Sequence, residues 1–212
     1  MVFIPKNIMP IISYENGHNY SGDSNDACSF RHGYGTMDYK NGHWYKGEYQ
    51  GDKRCGYGKY SFGNNTLESY EGSFADNKRD GFGVYTYIDG TKYTGSWRLN
   101  MKEGYGVLTY ADGVVIKGTF FDNDIKYGEI QYPNDAVYIG NIRSYLMHGH
   151  GTIIYSDGVK VTGEFHEDEI FLGDDTGCCF CLEKGCDSEC HEYYEGICAR
   201  PESLISEEIK EI

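Results

Sequence analysis

The chain has 212 residues, 33 of them acidic and 19 basic, which leaves a net charge of −14 at neutral pH. That balance weighs against a broad basic face, and so against binding nucleic acid or an anionic membrane by charge. No polybasic run offsets it, because the densest basic groups are the pairs Lys53-Arg54 and Lys78-Arg79, which read as solvated turns.

In chain order, residues 1–13 are apolar and broken by Pro5 and Pro10. They are too short and too interrupted for a membrane span, and they lack the small-residue site at which a signal peptide is cut. Their expected role is to cover the first strand downstream. From Tyr14 onward a motif returns about every 23 residues: Tyr-x-Gly-x-aromatic, then Gly-x-Gly, an aromatic, and Asp-Gly or Asn-Gly. Its units start at Tyr20, Tyr45, Tyr70, Tyr93, Ile116, Tyr138 and Val161. In one unit Tyr93, Gly95 and Trp97 are followed by Gly104, Gly106, Tyr110 and Gly113. Tyr70, Gly72, Phe74, Gly81, Gly83, Tyr87 and Gly90 fall at the same offsets one period earlier. A fixed period of this length marks a repeat architecture.

The Tyr, Gly and aromatic residues that open each unit alternate with period two, so their side chains share one face of an extended strand. The pairs Asn16-Gly17, Asn41-Gly42, Asp89-Gly90, Asp112-Gly113 and Asp157-Gly158 lie between such runs, where tight turns need residues that tolerate positive φ. Each unit therefore reads as a β-hairpin. The Gly-x-Gly of the second strand clears side chains from one face, so that aromatic rings from the facing strand lie over bare backbone. About seven hairpins would form a twisted ribbon on the order of 65 Å long. Tyr14, Gly17 and Tyr20 repeat the spacing of Tyr39, Gly42 and Tyr45, which predicts half a unit at the start. The units at Tyr20 and Tyr45 carry two extra residues each, predicting protruding loops around Asp26 and Ala27 and from Asn64 to Ser69. The unit at Ile116 is one residue short, with Lys126 or Tyr127 where the first glycine belongs, and predicts a local kink or register change.

This pattern resembles the MORN repeat family over roughly residues 14 to 165, with the strongest units beginning at Tyr45, Tyr70, Tyr93 and Tyr138. The resemblance implies an all-β fold: a single-layer, twisted antiparallel ribbon of consecutive hairpins over 14–173. It also implies a non-catalytic scaffold or assembly role toward protein partners, in a cytoplasmic setting associated with cytoskeleton, cilium or membrane skeleton. Phospholipid binding, another association of the family, is opposed by the charge. MORN arrays precede methyltransferase or lipid-kinase domains in longer proteins, and the 39 residues after Gly173 are too few for either.

An aromatic strip larger than ribbon packing consumes would serve a peptide or a second array, and its candidate residues are Tyr45, Tyr70, Phe74, Tyr93, Trp97 and Tyr138. Homodimerisation through ribbon ends or tails is a further expectation, since open sheets have edges. Catalysis finds no support: the Gly-x-Gly pairs open no helix in a βαβ unit, and the histidines are scattered by the repeat with no nucleophile beside them. The two remaining function classes are a membrane adaptor anchored by acylated cysteines and an accessory subunit of a separate enzyme.

The chain closes on a cysteine-rich acidic segment, 174–200, and a short amphipathic helix, 201–212, begun by Pro201 with Leu204, Ile205, Ile209 and Ile212 on one face. Six of the eight cysteines lie there. Cys178, Cys181, Cys186 and Cys190 form a candidate structural zinc site, since thiolates two to four residues apart converge on a tetrahedral ion. Their compact spacing differs from the usual two-knuckle zinc pattern. Acylation of Cys178, Cys179 and Cys181, disulfides, and free thiols stay open as alternatives. From Asp174 to Ile212 the charge is −8, which suits a basic protein partner.

Overall fold

The computed structural model describes residues 11–24 and 30–171. These form one open antiparallel sheet of 15 strands, each hydrogen-bonded to its sequence neighbours. The strands are β1 (Ile11–Ser13), β2 (Asn19–Ser24), β3 (Arg31–Asp38), β4 (Trp44–Gln50) and β5 (Lys53–Ser61). Next come β6 (Ser69–Ala75), β7 (Lys78–Thr86), β8 (Lys92–Arg98), β9 (Met101–Thr109) and β10 (Val115–Phe121). The last are β11 (Asp124–Gln131), β12 (Val137–Arg143), β13 (Leu146–Ile154), β14 (Lys160–His166) and β15 (Glu169–Phe171). The all-β ribbon of hairpins expected from the sequence is the observed fold. The expected loop at Asp26 and Ala27, the cysteine-rich segment and the helix over 201–212 lie outside the described residues.

Two kinds of turn alternate along the ribbon. Five-residue turns such as Tyr39–His43 and Tyr87–Thr91 carry the Asn-Gly or Asp-Gly pairs, with Gly42 and Gly90 at φ 85° and 90°. The first turn, at Tyr14–His18, repeats the same two backbone bonds, Tyr14 N–H to His18 O and Gly17 N–H to Tyr14 O, as Tyr39–His43. The turn between β5 and β6 is two residues longer, at the predicted insertion. The second kind joins the strands in two residues, both with positive φ: Gly51-Asp52, Asp76-Asn77, Leu99-Asn100, Asp122-Asn123, Ser144-Tyr145 and Glu167-Asp168. These are mirror-image turns, whose hand matches strand twist. Most lack glycine, so no Asn-Gly or Asp-Gly pair marks them in the sequence.

Glycines face glycines across the sheet. Gly22 pairs with Gly35, Gly47 with Gly58, Gly72 with Gly83, Gly95 with Gly106 and Gly140 with Gly151. Beyond each pair the register shifts at a bulge. Between Gly95↔Gly106 and Trp97↔Lys102, Ser96 alone opposes Glu103, Gly104 and Tyr105. The first glycine of each Gly-x-Gly sits in this bulge with positive φ, as Gly81 at 105° and Gly104 at 86° show, a conformation that costs other residues strain.

In the short unit the bulge absorbs the deletion. Between Gly118↔Gly128 and Phe120↔Ile125, Thr119 opposes only Lys126 and Tyr127. The bulge glycine and its positive φ are both gone, while the glycine pair and the pairing with β9 and β12 continue in step. Gly128 therefore matches the second glycine of the other units, and Tyr127 the residue between the two.

Candidate functional site

The face opposite the bulge side chains holds the core. Tyr20, Tyr45, Tyr70, Tyr93 and Tyr138 are fully buried, each laid over a glycine pair. A Cβ on Gly95 would stand 2.6 Å from Gly106 Cα and 2.7 Å from the Tyr93 hydroxyl, so the ring fits because both glycines are bare. The hydroxyls donate to the carbonyl three residues on: Tyr45 to Glu48 at 3.1 Å, Tyr70 to Ser73 at 2.9 Å, Tyr93 to Ser96 at 3.0 Å and Tyr138 to Asn141 at 2.7 Å. Burial pushes these phenols up, Tyr20 to about 12, so they stay protonated donors. Neighbouring rings meet edge to face along the ribbon, with Tyr70 5.1 Å from Phe74 and 5.4 Å from Trp97, and Tyr93 5.1 Å from Trp97 and 5.0 Å from Phe120. Each such pair contributes about 0.5–1.5 kcal/mol beyond its buried area.

A column of cations runs beside these rings. The Arg79 guanidinium lies 4.3 Å from the Trp97 ring centre and 5.0 Å from that of Tyr85. Arg54 lies over Tyr60 at 5.2 Å and Arg31 over Tyr49 at 5.1 Å. Lys102 is buried, bonded to the Tyr145 hydroxyl at 3.0 Å, with the rings of Tyr87, Tyr93, Phe120 and Tyr145 around its ammonium. Burial, and then Arg79, hold the Lys102 pKa below its ordinary value. The reading of Lys53-Arg54 and Lys78-Arg79 as solvated turn pairs is thus corrected: Lys53 and Lys78 face solvent, whereas Arg54 and Arg79 turn inward over rings. Period two decides this, since adjacent residues of a strand point to opposite faces.

The structure brings the six aromatics named from the sequence, Tyr45, Tyr70, Phe74, Tyr93, Trp97 and Tyr138, into this one row. All are buried, none more than 6 % exposed. The expected strip of surplus ring surface is therefore corrected at these positions, because ribbon packing consumes them. Exposed rings lie instead on the other face, at the middle of four Gly-x-Gly motifs, Tyr34, Tyr57, Phe82 and Tyr105, and at the matching place of the short unit, Tyr127, from 47 % to 62 % exposed. They sit on alternate strands β3, β5, β7, β9 and β11, so successive rings are about 9.6 Å apart. The intervening strands place Ser73 opposite Tyr57, Ser96 opposite Phe82, Thr119 opposite Tyr105 and Asn141 opposite Tyr127. From Tyr57 to Tyr127 small polar residues thus separate the rings and leave slots between them, whereas Glu48 stands between Tyr34 and Tyr57 and accepts the Tyr57 N–H. The signal was present in the sequence as the aromatic between the two glycines.

Cys178, Cys181, Cys186 and Cys190 lie outside the described residues, so their geometry is not placed. Among the described residues no group of three or more His, Cys, Asp or Glu side chains is arranged to hold a metal ion, and no helix is long and apolar enough to cross a membrane. Among the described histidines, His43 Nδ1 lies 2.9 Å from the Tyr60 hydroxyl and His150 Nδ1 3.0 Å from Glu164.

Hairpin repeats with buried tyrosines over paired glycines define a class, and comparison with known families agrees with it. The MORN repeat model matches residues 29–44, 45–67, 70–92, 93–115 and 138–160, about half of the chain. The chain belongs to the MORN repeat family. The unmatched gap between 115 and 138 is the short unit that lacks its bulge glycine. No curated protein matches the chain. Among solved structures the chain is similar to the TCP domain of SAS-4 (dCPAP) of Drosophila melanogaster, in complex with a proline-rich motif of Ana2 (dSTIL). The two share 16 % identity with a TM-score of 0.43, over 77 % of this chain and 81 % of that one.

Proposed function

We propose that this protein is a non-catalytic scaffold that holds protein partners on the outer face of its ribbon. The observation that carries the reading is the row of exposed rings at Tyr34, Tyr57, Phe82, Tyr105 and Tyr127. Large aromatic side chains regularly spaced on a surface, with small residues between them from Tyr57 to Tyr127, suit apolar side chains of a partner laid across the strands. The buried row of Tyr45, Tyr70, Phe74, Tyr93, Trp97 and Tyr138 then acts through rigidity, by keeping the outer rings in line.

The test is affinity capture from the native cell with the unaltered chain, with a triple variant Tyr57→Ser, Phe82→Ser, Tyr105→Ser, and with Lys78→Ala. Partners kept by the unaltered chain and Lys78→Ala but lost by the triple variant support the reading. Partners kept by all three sink it. The three exposed positions bear little on stability, so circular dichroism of the triple variant should match that of the unaltered chain.

A further inference from the structure

Five of the six mirror-image turns dock on the hairpin before them in the same way, whereas at Ser144-Tyr145 the Tyr145 hydroxyl donates to Asn123 O instead. The backbone N–H groups of Asp52, Asn77, Asn100, Asn123 and Asp168 donate to the carbonyls of Arg31, Arg54, Arg79, Lys102 and Met147 respectively. In return their side-chain oxygens accept the N–H of those same residues, at 2.7–2.9 Å. At the first site the docking residue is a carboxylate and the docked residue an arginine. Arg31 Nε therefore also meets Asp52 Oδ1 at 2.9 Å, with its guanidinium over the Tyr49 ring. At the last site the docking residue is again a carboxylate, but Met147 stands where the arginine would be. Asp168 keeps its backbone bond from Met147 and forms no ion pair among the described residues.

Asp168 lines a pocket of about 310 Å³ together with Tyr110, Asp112, Tyr132, Tyr145, Ile116 and Ile130. Tyr110 and Tyr132 hold the places in their units that Tyr87, one of the rings around Lys102, holds in its own. Burial pushes the Asp168 carboxyl above its ordinary value. Burial and then the Asp168 charge push the Tyr132 phenol up, so this carboxylate acts on this ring. This half of the chain is acidic, with eleven acidic and five basic residues between 99 and 171, and the nearby Lys102 ammonium is taken up by the Tyr145 hydroxyl.

The geometry points to this pocket as a binding site for an arginine side chain presented by a protein partner, completing from outside the carboxylate, cation and aromatic set that Arg31, Asp52 and Tyr49 complete within the chain. A guanidinium takes the free Oδ2 of Asp168 and lies against the tyrosine rings, while its methylene stem covers Ile116 and Ile130. Arginine fits better than lysine because a planar fork both stacks and donates. The site deepens the scaffold reading only in that a partner supplies the arginine. It is separate from the outer rings and is tested without any partner.

The test is a titration of the full chain with N-acetyl-arginine amide, followed by the ring resonances of Tyr110 and Tyr132. Saturable shifts are expected, with none from N-acetyl-norleucine amide. Asp168→Asn should weaken binding about tenfold, the worth of a charge-assisted hydrogen bond. That variant keeps the turn intact, because Asn77, Asn100 and Asn123 already dock in the same way. Met147→Arg should fill the site from within and abolish binding. Equal binding by Asp168→Asn, or equal shifts from the norleucine amide, overturns the proposal while leaving the outer-face reading untouched. Should Met147→Arg fail to fold, Asp168→Asn decides alone.

Discussion

The ribbon from β2 to β9 and the ribbon from β10 to β15 share one backbone plan and differ in what fills it. In the first part four tyrosines lie over four glycine pairs, and Arg31, Arg54, Arg79 and Lys102 run beside them. In the second, two of the three tyrosine positions are Ile116 and Val161, and the cation positions are Ile125, Met147 and Ile170. The substitutions are coupled through space. Where Ile116 replaces tyrosine, Ile125 Cδ1 reaches under Gly118, 2.7 Å from where a Cβ would stand. Where Val161 does so, Ile170 approaches Gly163 in the same manner. Charge follows the same division, with eleven acidic and eleven basic residues up to Arg98 against eleven and five from Leu99 to Phe171. The repeat therefore demands a pair of bare glycines and a filled volume above them, and either stacked rings with cations or interlocked aliphatics supply the filling.

The sharpest way to break this comparison is to empty the first part. Trp97→Ala removes a buried ring that touches Tyr70, Tyr85 and Tyr93 and should cost about 3–5 kcal/mol. In a linear array the loss should stay local. Amide exchange should rise across β6 to β10 and stay near its original rate in β13 and β14. Uniform loosening of all strands would show that the two parts form one cooperative unit.

Glycine substitutions should separate the parts next. Gly95→Ala places a methyl against Gly106 and the Tyr93 hydroxyl and should cost about 3 kcal/mol, measured by chemical denaturation. Among the described residues Gly163→Ala meets only Ile170, its Cδ1 at 3.4 Å and its Cγ1 at 3.7 Å, and should change stability by no more than about 0.5 kcal/mol. Comparable losses at both sites would mean that aliphatic filling is as unforgiving as rings.

Cation replacements come third. Arg79→Met loses the stack on Trp97 and the bond to Asn100 O and should cost about 1–2 kcal/mol. Lys102→Met should lie within about 0.5 kcal/mol of the original, because among the described residues the ammonium has no carboxylate partner and Met147 fills the equivalent place downstream.

The smallest effect is one of sign with pH. Burial raises the Asp52 pKa, but the backbone and side-chain hydrogen bonds of Arg31 outweigh it and leave the carboxyl below its ordinary value. Its stabilisation is present above the unfolded pKa of about 3.9 and is lost as pH falls through the folded value. Asp168 runs the other way. Burial raises it, so its ionisation subtracts stability at neutral pH, and that loss is recovered as pH falls through the raised value. Carbon-13 titration of the two carboxyls should place Asp52 below and Asp168 above about 3.9. At neutral pH, Asp52→Asn should destabilise and Asp168→Asn stabilise. Carboxyls that titrate together would remove the contrast between the paired and the unpaired site.

Much of the architecture was legible because its causes are local. Hairpins follow from period-two alternation, the long turns from Asn-Gly and Asp-Gly pairs, and the placement of rings over glycines from the facing strands of one hairpin. The six-ring strip was misplaced because alternation tells which side chains share a face but not which face is covered. Tyr93 and Tyr105 are both aromatic and both lie in strands, yet the first is fully buried and the second is 62 % exposed. The inward turn of Arg54 and Arg79 was hidden for a related reason, since a basic pair in a turn looks solvated until the neighbouring hairpin puts rings beneath one member.

By itself the sequence determined the repeat, the hairpins, the glycine slots and the position of the defective unit, because each rests on contacts within a strand or between adjacent strands. Only the tertiary structure decided which aromatic row is buried, which cations are drawn inward, and that Asp168 faces a pocket with no cation among its described lining residues. Those outcomes depend on how each hairpin docks on the one before it, about 21 to 23 residues back, and contacts at that distance leave no mark in the spacing of any single unit.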